Sequence, residues 1–184
     1  MDVKLTDWIG LANSKKSDLF ELIERLVLIE SPSSDKASND QLSAMTADLL
    51  QCLEAEVKIH PDQIFGNHLT ADWAASRNAT NEHALIVGHL DTVWPLGTLE
   101  RVGYTQKNER IYGPGVLDMK AGIATTIIGL KTIQEEGLWP DRPIKILFNT
   151  DEEVGSPSSR SLVQQSAKGA AFALIMEPGQ GKAG

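Results

Sequence analysis

Several classes of protein are excluded by what this sequence lacks. Its 184 residues include 1 cysteine, Cys52, so no internal disulfide can form and no oxidising compartment is required. No apolar run approaches the roughly 18 residues of a membrane span, and the first residues lack the hydrophobic core of a signal peptide. We therefore predict a cytoplasmic protein with no membrane partner.

Positive charge is also scarce. The chain has 17 Lys and Arg against 25 Asp and Glu, a formal net charge of −8, which argues against nucleic acid or an anionic membrane surface as partner. Neither a Gly-x-Ser-x-Gly elbow nor a phosphate-binding loop occurs, so serine hydrolase and nucleotide-binding functions have no support. Cations are the more natural ligands of such a chain, and its length predicts one domain.

Two amphipathic helices are predicted near the N-terminus. In the first, apolar residues from Leu19 to Leu26 fall at i, i+3, i+4 and i+7. In the second, Ser38 and Gln41 fit a capping box ahead of an apolar stripe. Cys52 lies on that stripe, and we expect it in the core.

The rest of the chain alternates strands and helices. Two half-buried strands are predicted at residues 56–60 and 68–73. Three less polar runs, at residues 84–87, 144–148 and 171–176, are typical of strands covered on both faces. Between these runs the apolar residues recur at the spacing of a helix. This order predicts an α/β fold with a mostly parallel central sheet flanked by helices.

Acidic and imidazole groups follow each of the three apolar runs. They are His89 and Asp91 after the first run, Glu152 and Glu153 after the second, and Glu177 after the third. A glycine-rich turn at residues 113–118 adds Asp118. Because ligands bind at the carboxyl edge of a parallel sheet, we expect these side chains to converge there.

Carboxylates crowded at one edge of a sheet need positive charge near them. Like charges within a few ångströms raise one another's pKa and destabilise the fold. A pair of divalent cations would neutralise most of this charge, with His89 and several carboxylates as ligands. Mixed nitrogen and oxygen ligation favours zinc, and cobalt or manganese are alternatives.

The spacing also predicts roles for neighbouring residues. Asp91 can accept the second ring N–H of His89, which orients the imidazole. Adjacent Glu152 and Glu153 cannot point the same way, so one can bind metal while the other acts as general base on a metal-bound water. The spacing alone leaves open which of the two does which.

Each motif by itself has a simpler explanation. His89 can be a strand-end histidine bonded to Asp91, and Asp118 can be the N-cap of the next helix. The adjacent glutamates can be a solvated loop, and Glu177 before proline can mark the exit from a strand. Their occurrence in separate loops at one predicted edge is what favours a site.

We assign no ligand role to His60, His68 or His83, leave Lys120 and Arg160 unassigned, and expect Trp73, Trp94 and Trp139 to pack.

Four segments in order, GHLDTVWPLGTL, YGPGVLDMKAG, TDEEVGS and MEP, resemble the catalytic domain of the dinuclear zinc exopeptidase and deacylase family. That family includes glutamate carboxypeptidase, acetylornithine deacetylase, succinyl-diaminopimelate desuccinylase and aminoacylase. The resemblance implies two zinc ions and a hydrolase that cleaves amide bonds.

The resemblance also implies a role for each site residue. His89 and Glu177 would bind one zinc, Asp118 would bridge both, and Glu153 would bind the other. Glu152 would be the general acid and base, and Asp91 would orient His89. The peptide bond after Asp118 would be cis.

Members of this family are considerably longer than 184 residues. Past the position of Glu177 they have a lid or dimerisation domain and then the rest of the catalytic domain, with a final histidine ligand. We therefore expect residues 1–184 to be the N-terminal portion of a catalytic domain, and a weak or inactive hydrolase of peptides or N-acyl amino acids. The alternative is a non-catalytic truncated or split chain that keeps the scaffold and partial metal binding. The partners this implies are a homodimer in the full-length form or a complementing C-terminal segment.

Overall fold

The computed structural model describes residues 7–75 and 82–179. Within these ranges the helices are α1 (Trp8–Ser14), α2 (Lys16–Val27), α3 (Lys36–Gln51), α4 (Thr98–Val102), α5 (Ala121–Glu135) and α6 (Arg160–Ala167). The strands are β1 (Glu56–His60), β2 (His68–Trp73), β3 (His83–His89), β4 (Thr105–Lys107), β5 (Arg110–Tyr112), β6 (Ile144–Asn149) and β7 (Ala170–Ile175). Two short turns, Val116–Lys120 and Glu152–Val154, precede α5 and α6.

Five strands form the central sheet, in the order β1-β2-β6-β3-β7. β3 pairs in parallel with both β6 and β7, whereas β2 is antiparallel to both β1 and β6. Within this sheet β2 therefore runs against the other four strands. The predicted α/β fold, with a mostly parallel central sheet flanked by helices, is confirmed. β4 and β5 form a separate antiparallel hairpin.

The core lies between the sheet and helices α2, α3 and α5. Its fully buried members include Leu26, Leu42, Leu50 and Ile123 from the helices and Leu69, Ile146 and Phe148 from the strands. Burial of one such side chain contributes about 1.5–3 kcal/mol of hydrophobic stabilisation. This packing holds β3 and β6 side by side as far as their last residues, where His89 is in register with Asn149.

The ends of α3 differ from the prediction. Its N-cap is Asp35, whose carboxylate accepts the Ser38 backbone N–H at 2.9 Å, so the predicted capping box of Ser38 and Gln41 is wrong. Cys52 is exposed rather than part of the core. The reason is that the buried side of the helix is formed by Leu42, Thr46 and Leu50 and continues to Leu53, and Cys52 does not lie on that side.

The third apolar run is not covered on both faces as predicted. β7 forms an edge of the sheet with β3 as its partner, and its side chains are largely exposed, Phe172 and Leu174 at 48% each. Apolar composition alone cannot distinguish a central strand from an edge strand. The other two runs, in β3 and β6, are mostly buried as predicted.

Sequence periodicity also missed the short elements. α1, α4 and the β4–β5 hairpin span too few residues for a hydrophobic period to appear. Across residues 7–75 and 82–179, no helix combines the length and hydrophobicity that crossing a bilayer requires.

Candidate metal centre

The ends of β3, β6 and β7 bring the predicted site residues to one edge of the sheet. His89 is the last residue of β3 and lies beside the last residue of β6. Glu152 and Glu153 follow β6 in a 3₁₀ turn, and Glu177 is the second residue after β7. Residues far apart in the sequence therefore meet where the parallel strands end.

Asp118 reaches the same edge from the turn Val116–Lys120. The Asp118–Met119 peptide bond is cis, as the resemblance implies. Met119 is fully buried, and its sulfur accepts the His89 backbone N–H at 3.1 Å. This contact joins the turn to the end of β3.

A close approach of backbones fixes the position of the third strand end. A Cβ atom added at Gly122, in the first turn of α5, would lie 2.2 Å from the Met176 carbonyl oxygen. Only glycine allows this contact. α5 therefore packs directly against the residue that precedes Glu177.

The His89 imidazole is buried, and each ring nitrogen has a defined neighbour. Its side chain is 1% exposed, Nδ1 lies 2.9 Å from the Asp91 carbonyl oxygen, and Nε2 lies 3.0 Å from Asp118 Oδ1. An Nδ1–H that donates to the carbonyl leaves the Nε2 lone pair facing a carboxylate. Two electron-rich atoms at this distance need a proton or a metal cation between them. Nε2 is therefore the atom of His89 available to a metal.

The buried Asp91 carboxylate lies next to His89 and also accepts hydrogen bonds from the loop that carries Glu152 and Glu153. Its Oδ1 lies 3.4 Å from His89 Nδ1 and accepts the Glu152 backbone N–H at 3.2 Å. Its Oδ2 accepts the Glu153 backbone N–H at 3.1 Å and the Ser33 hydroxyl at 2.6 Å. The Asp91 carboxylate thus lies beside the imidazole and bonds the loop that carries both glutamates. The hydrogen-bond acceptor of the ring Nδ1–H is, however, the Asp91 backbone carbonyl, not the carboxylate as predicted, and the orienting role of Asp91 stays a prediction.

Two overlapping groups of side chains have the spacing of a metal site. His89, Glu152 and Glu177 form one group, and His89, Asp118 and Glu153 form the other, with the ligand atoms of each within 4.8 Å of one another. His89 Nε2 is 3.9 Å from both Glu152 Oε2 and Glu177 Oε1. An imidazole nitrogen surrounded by carboxylate oxygens suits zinc, and also cobalt or manganese. The residues present therefore fit the predicted ions, although their division into ligands and base stays a prediction.

Burial and the charges of the site shift the pKa values of three residues. Burial lowers the pKa of His89, but the hydrogen bonds and charge of Asp91, together with the charge of Glu152, raise it to about 9. Burial and neighbouring carboxylates raise the pKa of Glu152, against the opposing charge of His89. The pKa of Glu153 is raised in the same way, by burial and by Asp118 among others. Such a cluster favours a bound cation as its neutralising charge.

Asp151, which the sequence reasoning missed, fixes the loop that carries the two glutamates. It is fully buried, and its carboxylate accepts the backbone N–H of Ser158 at 2.7 Å and of Ser159 at 3.0 Å, and the Ser159 hydroxyl at 2.5 Å. Burial raises the pKa of Asp151, but these hydrogen bonds lower it overall. The sequence did contain a sign of this role. An aspartate stands shortly before Ser-Pro-Ser-Ser, and the backbone amides of such a turn need a hydrogen-bond acceptor.

Lys120, which the sequence left unassigned, is buried. It is 1% exposed, and its Nζ donates to the Ile29 carbonyl oxygen at 2.5 Å. Burial lowers the pKa of Lys120 to about 7, although the charge of Glu30 opposes the shift. Lys120 thus joins the connection between α2 and α3 to the turn that carries Asp118.

The simpler explanations hold for some residues and fail for others. His60, His68 and His83 are hydrogen-bonded to the Thr70 hydroxyl, the Ser158 hydroxyl and the Ser166 carbonyl. Asp118 is not the N-cap of α5, because the residue before that helix is Lys120 and it has no side-chain capping bond. Arg160 is exposed at the start of α6.

Two of the three tryptophans pack as expected. Trp73 and Trp139 lie with ring centroids 5.9 Å apart, and the Trp73 indole donates to the Leu53 carbonyl at 2.7 Å. Trp94 is 45% exposed, so the expectation that it packs is wrong. It lies three residues beyond Asp91, in the loop that leaves the sheet edge.

We expect the substitution Asp91→Ala to destabilise the fold and to weaken metal binding. It leaves the Ser33 hydroxyl and two backbone amides without their buried acceptor, so the free energy of unfolding should fall by about 3 kcal/mol. Loss of an orienting carboxylate typically weakens metal affinity by about 10–100-fold. Urea unfolding in chelator and zinc titration against a competing chelator measure the two effects.

Asp62→Ala is the matched control for this prediction. The Asp62 carboxylate also accepts two backbone amides, those of Ile64 and Phe65, but in the loop between β1 and β2. This variant should bind zinc like the unmodified chain. If Asp91→Ala also retained full zinc affinity, Asp91 would not orient the ligand.

A family model and several curated relatives match the chain. The model of peptidase family M20/M25/M40 matches residues 85–184, just over half of the chain. Carboxypeptidase G2 of Pseudomonas sp. (strain RS-16) is 40% identical over 97 residues, which cover 53% of this chain and 23% of that protein. Acetylornithine deacetylase of Proteus mirabilis (strain HI4320) is 29% identical over 176 residues, which cover 90% of this chain and 44% of that protein. The chain therefore spans less than half the length of these relatives.

Solved structures share the fold. Human carnosine dipeptidase 1 superposes with a TM-score of 0.75 at 21% identity, covering 89% of this chain and 39% of that one. The M20 family metallo-carboxypeptidase Sso-CP2 from Sulfolobus solfataricus gives a TM-score of 0.73 at 18% identity. That match covers 88% of this chain and 37% of the carboxypeptidase chain. At these identities the likeness shows a common α/β architecture.

Proposed function

The chain belongs to peptidase family M20/M25/M40, and we propose that the edge formed by the ends of β3, β6 and β7 is the catalytic centre of a metal-dependent hydrolase that cleaves amide bonds. The observation that carries this proposal is the buried His89 imidazole, whose Nε2 faces carboxylates from three separate parts of the chain. A structural histidine at a strand end needs one acceptor for each ring N–H. The surplus of carboxylates around this imidazole is the arrangement that cations require.

We assign the metal ligands from the family resemblance. His89 and Glu177 would hold one zinc ion, Glu153 a second, and Asp118 both. What supports the proposal is that all four of these side chains belong to the two groups around His89, and cobalt and manganese suit the same donors. Bound divalent cations polarise a carbonyl group and make a water molecule more acidic.

Glu152 is the proposed general base. Its side chain is 42% exposed while Oε2 lies 3.9 Å from His89 Nε2, so the carboxylate borders both solvent and the ligand cluster. From there it can take a proton from an attacking water and pass it to the leaving amine. Asp91 is the positioning residue, because it contacts the imidazole and the backbone amides of both glutamates.

The proposed substrates are small peptides or N-acyl amino acids. Two of the curated relatives are named carboxypeptidase G2 and acetylornithine deacetylase, and these names indicate a peptide and an N-acetyl amino acid. That residues 1–184 are the N-terminal portion of a catalytic domain stays a prediction. A homodimer, a complementing C-terminal segment and a cytoplasmic location stay predictions.

The test is a hydrolysis assay of the purified chain on dipeptides and N-acetyl amino acids, with zinc and with chelator. We expect slow turnover, well below the roughly 10 s⁻¹ of a median enzyme, that disappears in chelator. Hydrolysis that persists in chelator would contradict the proposal. Tight zinc binding with no turnover on any substrate would instead favour the non-catalytic alternative.

A further inference from the structure

We infer that Ser33 is a positioning residue of the metal centre, which it serves by fixing the carboxylate that orients His89. The inference rests on the proposed metal centre and extends it to the connection between α2 and α3. Residues 29–33 of this connection, called the strap below, contain none of the proposed metal ligands. Their hydrogen bonds nevertheless connect the strap to the loops that carry those ligands.

The strap runs alongside the loop that follows β3 and is bonded to it through the backbone. The Thr92 backbone N–H donates to the Ser31 carbonyl at 2.8 Å, and the Ser33 N–H donates to the Thr92 carbonyl at 3.3 Å. The Ser31 hydroxyl donates to the Leu90 carbonyl at 2.7 Å. These bonds bracket Asp91 on both sides, so the strap and the Asp91 loop form one unit.

Within this unit the Ser33 hydroxyl is the strap's side-chain contact to Asp91. Ser33 is 6% exposed, and its Oγ donates to Asp91 Oδ2 at 2.6 Å, the shortest of the hydrogen bonds to that carboxylate. The hydrogen bonds that the Glu152 and Glu153 backbone amides donate to the same carboxylate are longer, at 3.2 and 3.1 Å. Removal of the hydroxyl frees the carboxylate to rotate, and both the imidazole and the two glutamates depend on its orientation.

The far end of the strap is anchored to two other elements beside the site. The Lys120 ammonium donates to the Ile29 carbonyl at 2.5 Å, next to the turn that carries Asp118. The Glu30 carboxylate accepts the Gly97 and Leu99 backbone N–H groups at 2.8 and 2.7 Å, at the start of α4. Because both ends of the strap are tied down, Ser33 is held rigidly enough to fix its acceptor.

The test compares Ser33→Ala with Ser31→Ala. Both substitutions remove a buried hydroxyl from the same strap, but Ser31 donates to a backbone carbonyl rather than to Asp91. We expect both variants to unfold at slightly lower temperature. Only Ser33→Ala should weaken zinc binding, by up to about tenfold and less than Asp91→Ala, because it disturbs the partner of a metal ligand.

Two measurements separate positioning from general stability. Zinc affinity is measured by competition with a chelator, and the visible absorption spectrum of the cobalt-loaded chain reports the geometry around the ion. Ser33→Ala should shift that spectrum, Ser31→Ala should not, and Ser33→Thr, which keeps the hydroxyl, should restore the affinity.

Equal zinc affinity and identical cobalt spectra for Ser33→Ala and the unmodified chain would overturn the inference while leaving the metal centre intact. Equal weakening by Ser31→Ala would overturn it too, since the effect would then be one of strap stability. If the unmodified chain bound no zinc, the proposed function would fail, and this inference with it.

Discussion

Replacement of Glu152 by glutamine is expected to lower the zinc-dependent hydrolysis of N-acyl amino acids and dipeptides by about 10²–10⁴-fold. Glutamine has almost the same shape but cannot take a proton from water at neutral pH. If Glu152 is the base rather than a ligand, zinc affinity should stay close to that of the unmodified chain. The measurements are the turnover rate with saturating zinc and the zinc dissociation constant.

Glu153→Gln is the matched control, because it makes the same change at the adjacent residue. Glu153 belongs to the group with His89 and Asp118, and we propose it as a ligand. Its substitution should weaken zinc binding, and added zinc should recover part of the lost rate. If the two variants exchanged these behaviours, the assignment of base and ligand would have to be reversed.

Replacement of His89 by asparagine is expected to produce the largest loss of metal affinity, at least about 100-fold in the zinc dissociation constant. Changes to residues that only support a ligand already cost about 10–100-fold, and this one removes the ligand atom itself. The buried imidazole is the nitrogen donor common to both candidate groups of side chains. The shorter asparagine side chain cannot extend to the position of Nε2.

His60→Asn is the control for this loss. His60 lies on β1, and its Nε2 is hydrogen-bonded to the Thr70 hydroxyl at 2.9 Å. The control variant should bind zinc like the unmodified chain, as seen in a competition titration or in the metal content after dialysis. Retention of tight zinc binding by His89→Asn would show that the ions bind elsewhere.

The meeting of the site residues was predictable from the sequence because it follows from the topology. Apolar runs of similar length, separated by helices, predict parallel strands, and such strands end at one edge. His89 and Glu177 therefore met in the structure although 88 positions separate them, 177 minus 89. Asp118 arrived from the glycine-rich turn that the sequence analysis also placed at this edge, and only its proposed bridging of two ions relied on the family resemblance.

The network that holds the site could not be predicted in the same way. Ser33 and Asp91 are 58 residues apart, and a single hydroxyl that meets a single carboxylate leaves no periodic trace in a sequence. The burial of Lys120 was hidden for the same reason, since its acceptor is the backbone carbonyl of Ile29. Such contacts depend on how loops pack after the strands are in place.

Exposure was the other property that the sequence did not show. The runs in β3 and β7 are similarly apolar, yet one lies inside the sheet and the other at its edge. Burial depends on the neighbours of a strand, whereas composition describes only the strand itself. Cys52 was also expected in the core but is exposed, whereas its neighbour Leu53 is buried, because only one side of the helix end faces the sheet.

The proposed catalytic centre requires divalent cations at the Nε2 side of His89, and anomalous diffraction at the zinc edge from crystals of the zinc-loaded chain tests this directly. We predict two peaks about 3.5–4 Å apart, one beside His89 and Glu177, the other beside Glu153, with Asp118 between them. The contrary result would be full zinc loading with no peak near His89, its imidazole still hydrogen-bonded to Asp118.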